Sequence, residues 1–61
     1  MKLGEVITVG DEWYEIIRKL REDREWDVDI LKQHWLCTHT FRKDGILYFC
    51  REVPKVEFEV I

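Results

Sequence analysis

Four side chains in the second half of the chain have the chemistry of metal ligands, or of a nucleophile and its base. They are His34, Cys37, His39 and Cys50, in the spacing H-x2-C-x-H-x10-C. Thiolates and imidazoles are the usual ligands of zinc, and a cysteine beside a histidine can serve as nucleophile and base. The rest of the sequence supports neither use. The spacing matches no common zinc module, and paired C-x2-C knuckles are absent. No third group to orient a base and no glycine-rich phosphate loop is discernible. The 13 carboxylates are scattered over 61 residues, so pairs of them arise by chance. The expectation is a protein that is not an enzyme, with no catalytic residue, no metal ligand and no cofactor. Its cysteines then pack as small apolar side chains. A Cys37–Cys50 cross-strand disulfide is the alternative.

Whether these residues meet depends on the segment that holds them. Residues 35–53, WLCTHTFRKDGILYFCREV, read as two strands joined at Arg42-Lys43-Asp44-Gly45. Asp-Gly is a strong hairpin signal, because both residues tolerate the positive φ of a tight primed turn. Parity then decides the geometry. A four-residue turn places Cys37 opposite Cys50, a two-residue turn places His39 there, and a three-residue turn moves Cys50 to the other face. Pro54 ends the second strand, since it lacks a ladder donor.

The remaining elements follow from periodicity. Residues 2–9 are rich in β-branched side chains and predict a short strand, broken by Gly10-Asp11. In residues 11–23, Trp13, Ile16, Ile17 and Leu20 fall at i, i+3, i+4 and i+7, the stripe of an α-helix. Glu12 and Glu15 early, with Arg18, Lys19 and Arg21 late, suit the helix dipole. The rival reading makes Gly10-Asp11 a hairpin turn with a strand from residue 12 to 17. Residues 21–27 form a charged connection anchored by Trp26. Asp27 is a good N-cap for a second, short helix over residues 28–35, with Asp29, Lys32, Gln33 and Leu36 outward. Residues 55–61, KVEFEVI, alternate strictly and predict a half-buried strand on a sheet edge. The expected fold is α+β, a single domain over residues 1–61, in the order β-α-α-β-β-β.

Composition bounds the function classes. A chain this short buries only about 60% of the surface its unfolded form exposes, so its core must be dense. Its composition is 46% hydrophobic, with eight aromatic residues to fill that core. The absence of Asn and abundance of Glu, Lys and Arg lean toward a thermophile. A net charge of −3 argues against coating nucleic acid by bulk charge, yet leaves room for a local basic face. No apolar run approaches the roughly 18 residues of a membrane span. No signal-peptide pattern precedes the first strand. The expectation is an intracellular, cytoplasmic protein that does not enter a membrane.

Placed on these elements, the cations suggest an interface. The predicted order is that of a small winged helix-turn-helix, with the second helix as recognition helix and the hairpin as wing. Lys32 and Gln33 then meet base edges, and Arg42 and Lys43 sit at the wing tip. Arg18 and Arg21 add a basic run at the end of the first helix. The plain alternative is solvated surface charge, balanced by Glu22, Asp23 and Glu25.

Several short stretches also resemble a known family, the small phage excisionases of the lambda type, related to MerR-like winged-helix DNA-binding domains. Ile7-Thr8-Val9 followed by Glu12-Trp13 resembles the family's strand and acidic-plus-tryptophan helix start. Trp35 matches a Trp near the end of its recognition helix. Lys43-Asp44-Gly45 with Tyr48-Phe49 is similar to its wing, and Pro54-Lys55-Val56 to its tail. The resemblance implies a winged helix and a non-catalytic, DNA-bending accessory role, with double-stranded DNA as partner and cooperative copies on direct repeats.

The two function classes are therefore an architectural DNA-binding protein of viral or mobile-element type, and an acidic protein-binding module or inhibitor. The second would use an aromatic patch or an edge strand, and a strand edge also permits a homo-oligomer.

Overall fold

Gly10-Asp11 turns the chain back on itself and joins two strands, not a strand and a helix. In the computed structural model, which describes residues 1–54, β1 (Val6–Val9) pairs antiparallel with β2 (Glu12–Arg21), closing at Val9 opposite Glu12. Gly10 sits at φ +60° and Asp11 at negative φ, the pattern of a II′ turn, in which Gly takes the first central position. After a connection, α1 (Val28–His34) leads into the hairpin of β3 (His39–Lys43) and β4 (Ile46–Val53). The four strands form one antiparallel sheet in the order β1-β2-β4-β3. The final strand expected over residues 55–61 lies outside the described residues.

This corrects the α+β winged helix-turn-helix. The chain is β-rich, and α1 is the one helix among the described residues. The expected first helix is the ten-residue β2. Its helical stripe has a physical origin in the strand itself. The β2–β4 register shifts between Ile16 and Arg18, which leaves Ile17 as the extra residue of a β-bulge. Before the bulge, Tyr14 and Ile16 belong to one face. After it, Ile17 and Leu20 pack on the other. An interrupted alternation of this kind mimics a 3.6-residue period. The β-favouring Trp13, Tyr14, Ile16 and Ile17, next to the long partner strand β4, complete the choice of strand.

The short helix and the Asp-Gly turn stand at their expected places, whereas the hairpin's first strand begins at His39 and not at Trp35, and Arg42 and Lys43 lie within β3 and not in the turn. The Asp27 side chain accepts from the Ile30 amide at 3.2 Å and caps α1. At the other end, the Leu36 amide donates to the Gln33 carbonyl, and the Cys37 amide to the Lys32 carbonyl. This is a Schellman closure with Leu36 in the left-handed region, at φ +55°, where Gly is the usual occupant. Asp44 and Gly45 both take positive φ, so the second hairpin has a two-residue I′ turn.

The sheet has two working faces. On one, α1 and Trp26 cover Leu47 and Phe49, with Ile17, Leu20, Val28, Leu31, Trp35 and Cys37 around them. Phe49 is fully buried and meets Trp35 edge to face, with centroids 4.9 Å apart. On the other, Ile16, Tyr48 and Cys50 are buried against Ile7, Tyr14, Phe41 and Ile46. The sheet curls about this second face. Val9 of β1 and Phe41 of β3, on strands at opposite ends of the sheet, line the same cavity of about 170 Å³.

Candidate functional site

The two-residue turn settles the parity of the hairpin. His39 stands opposite Cys50, while Cys37 precedes β3 and packs on the helix-covered face. Cys37 and Cys50 are therefore free thiols in separate clusters, not a cross-strand pair. Burial, followed by the neighbouring Cys37, pushes the Cys50 thiol up to about 11. Burial likewise raises Cys37, against the opposing pull of Arg51, Arg18 and Lys32. Both stay protonated at neutral pH, a poor state for a nucleophile or a ligand. His34 lies on α1 beside Trp35, away from His39. Among the described residues, no group of three or more His, Cys, Asp or Glu is arranged to hold a metal ion.

His39 instead belongs to a hydrogen-bonded run that ties three strands together. The Glu52 amide donates to Thr38 Oγ1 at 3.0 Å, Thr38 Oγ1 lies 3.0 Å from His39 Nδ1, and His39 Nε2 lies 3.4 Å from the Tyr14 hydroxyl. The small Cys50 side chain between β2 and β3 lets the Tyr14 and His39 rings meet at 4.5 Å. Partial burial and then Glu52, Glu12 and Cys50 raise the Tyr14 phenol further, so it remains a neutral hydrogen-bonding group. Glu52 is itself raised, first by a hydrogen bond with the Glu12 carboxyl and by its charge.

The residues expected to touch DNA do not converge. Arg18 and Arg42 face the helix-covered side, opposite Phe49 and Leu47. The Arg18 guanidinium lies 5.8 Å from the Trp35 ring centroid and donates to the Ile17 carbonyl. Arg42 is paired with Glu22 at 3.2 Å. Arg21 and Lys43 flank Ile46 on the opposite face of the sheet. Lys32 and Gln33 line a shallow groove at the end of α1 with Asp29, Leu36, Cys37 and Thr38. With no first helix, this helix is not the second member of a helix-turn-helix.

A different feature stands out at the edges of the sheet. Edge strands offer unpaired backbone groups to any extended chain, and proteins protect them with charge, above all Lys. The β3 edge carries Arg42 and Lys43. The β1 edge, Val-Ile-Thr-Val, carries no charge within the strand. Ile16 exchanges hydrogen bonds with the Gly4 amide and the Glu5 carbonyl, so its backbone faces β1. Antiparallel pairs alternate in bonding. Ile7 and Val9 therefore bond to β2, while Val6 and Thr8 direct their N–H and C=O groups outward. Around this edge Val9 is 60%, Val6 51% and Trp13 41% exposed.

Sequence reasoning missed this edge because it assigned the partner strand to a helix. The signal was present in Gly10-Asp11 between two β-rich runs. No protein-family model, curated protein or solved structure matches the chain.

Proposed function

We propose that this protein is a small, non-catalytic protein-binding module that docks an extended segment of its partner by strand addition along β1. The observation that carries the reading is the contrast between the two edges. The β1 edge is apolar, exposed and uncharged along its length, whereas Arg42 and Lys43 guard β3. Strand addition draws its affinity from main-chain hydrogen bonds, and Val6 and Thr8 offer four such groups. Ile7, packed against the curled-face cluster, anchors β1 from one side.

The DNA-binding alternative rested on a winged helix and on cations gathered at one surface. The described residues lack the first, and of the six residues Arg18 and Arg42 lie on one face of the sheet, Arg21 and Lys43 on the other, and Lys32 and Gln33 on α1. The test is a titration with a β-forming peptide, followed residue by residue through backbone amide shifts. The expected result is perturbation centred on Val6–Val9. Perturbation confined to α1 or β3, or saturable salt-dependent binding of duplex DNA through Arg42 and Lys43, would overturn it.

A further inference from the structure

The distribution of charge says what kind of strand the edge would take. Residues 1–15 hold one cation, Lys2, against four carboxylates: Glu5, Asp11, Glu12 and Glu15. The remaining residues hold nine Lys and Arg against nine Asp and Glu. Residues 1–15, which hold β1, its turn and the part of β2 paired with it, therefore carry a formal charge of −3, while Arg18, Lys19 and Arg21 lie farther along β2. The register places these groups directly behind the β1 edge, which has no partner strand beyond it among the described residues. Glu15 stands opposite Val6 on one face, and Glu12 stands opposite Val9 on the other. The exposed Trp13 stands opposite Thr8, on the same face as Glu15.

An incoming strand would lie one spacing beyond β1 and two from β2, about 10 Å from the Glu15 backbone. A Lys or Arg side chain and a Glu side chain, extended toward each other across Val6, span that gap. A cation opposite Thr8 would share a face of the sheet with the exposed Trp13, whose indole is a favourable cation–π partner. We infer that the occupant of the β1 edge is a cationic extended segment of another protein, with Lys or Arg at alternate positions on the Glu15 side and apolar residues on the Val9 side. The inference rests on the docking mode proposed above and adds the chemistry of the partner. A second copy of this chain is disfavoured by the same charges. Pairing β1 with β1 would bring two copies of the 1–15 segment, each of formal charge −3, against each other, and like charges across neighbouring strands are destabilising.

The test uses the full chain and three capped octapeptides of alternating valine and a second residue: lysine, threonine or glutamate. Binding is followed by amide shifts of Val6 and Thr8 at low and high salt. The lysine peptide is expected to bind about tenfold or more tighter than the glutamate peptide at low salt, with the difference shrinking as salt rises. Glu15→Gln is expected to weaken the lysine peptide about threefold and leave the threonine peptide unchanged. Equal binding of all three peptides at Val6 and Thr8 would overturn the cationic partner while leaving edge docking intact. No perturbation of β1 by any peptide would overturn both. Concentration-dependent dimerisation that protects Val6 and Thr8 in the absence of peptide would assign the edge to a second copy and overturn the inference.

Discussion

Val6 stands opposite Glu15 across the β1–β2 pair, so the exposed apolar side chain on the sheet's edge strand among the described residues is backed by a carboxylate on the same face. A lysine in β1 should act as Arg42 and Lys43 do on β3 and close the edge to other chains. Thr8→Lys is expected to abolish peptide-induced amide shifts while leaving the far-ultraviolet circular dichroism and the cooperative thermal transition in place. Undiminished binding by a folded Thr8→Lys protein would contradict edge docking.

Leu36 holds a left-handed backbone at φ +55° with its side chain 73% exposed. A non-glycine residue there is strained, and the side chain recovers little by burial. Leu36→Gly should stabilise the protein by about 1 kcal/mol, the gain at the left-handed position exceeding the added entropy of the unfolded chain. Urea denaturation measures it. A loss of stability would mean that the leucine packs more firmly than its exposure indicates.

The Glu12–Glu52 contact makes stability depend on pH. Folding raises the Glu52 pKa above its ordinary 4.5, chiefly through the hydrogen bond and charge of Glu12. The folded state therefore holds this proton more tightly than the unfolded state. The resulting stabilisation is fully present in acid and is lost as pH rises from the ordinary value through the raised one. Glu52→Gln should raise the melting temperature at neutral pH and leave it unchanged near about pH 3, where the Glu52 carboxyl is protonated. An equal effect at both pH values would contradict this origin.

The thiols should be inert in the folded protein. With its pKa at about 11 in place of 9.0, Cys50 presents about a hundredfold less thiolate at neutral pH. Alkylation should be slow in the native state and reach both cysteines on denaturation. Rapid modification of Cys50 in the native state would place it nearer the surface than its burial implies.

Phe49 is the centre of the helix-covered core, fully buried and edge-on to Trp35. Phe49→Ala should cost about 3–5 kcal/mol. That is comparable to the whole stability of a domain this small, so the variant is expected to unfold at ambient temperature. A folded variant with a sharp thermal transition would show that another cluster dominates.

Local chemistry carried much of this fold in plain view. Asp44-Gly45 specified a tight turn, Asp27 an N-cap, Trp26 an anchor and Pro54 a strand end, because each acts through its own backbone or nearest neighbours. Glu12–Arg21 was not legible in the same way. Its bulge at Ile17 depends on how β4 registers against it, a relation between residues more than 30 positions apart in the chain. The candidate site suffered for the same reason. Arg18 and Arg21 looked like one basic run on a helix, but the bulged strand sends them to opposite faces. The β1 edge becomes visible only once β2 is recognised as its one neighbour among the described residues.

The most direct test of edge docking is amide hydrogen exchange of β1 in the free and peptide-bound protein. The Ile7 and Val9 amides, bonded to β2, should be protected in both states. Those of Val6 and Thr8 should exchange rapidly in the free protein and slow by an order of magnitude or more on binding, as new ladder bonds form. Val6 and Thr8 amides already protected in the free monomer, or unchanged at saturating peptide, would contradict the account.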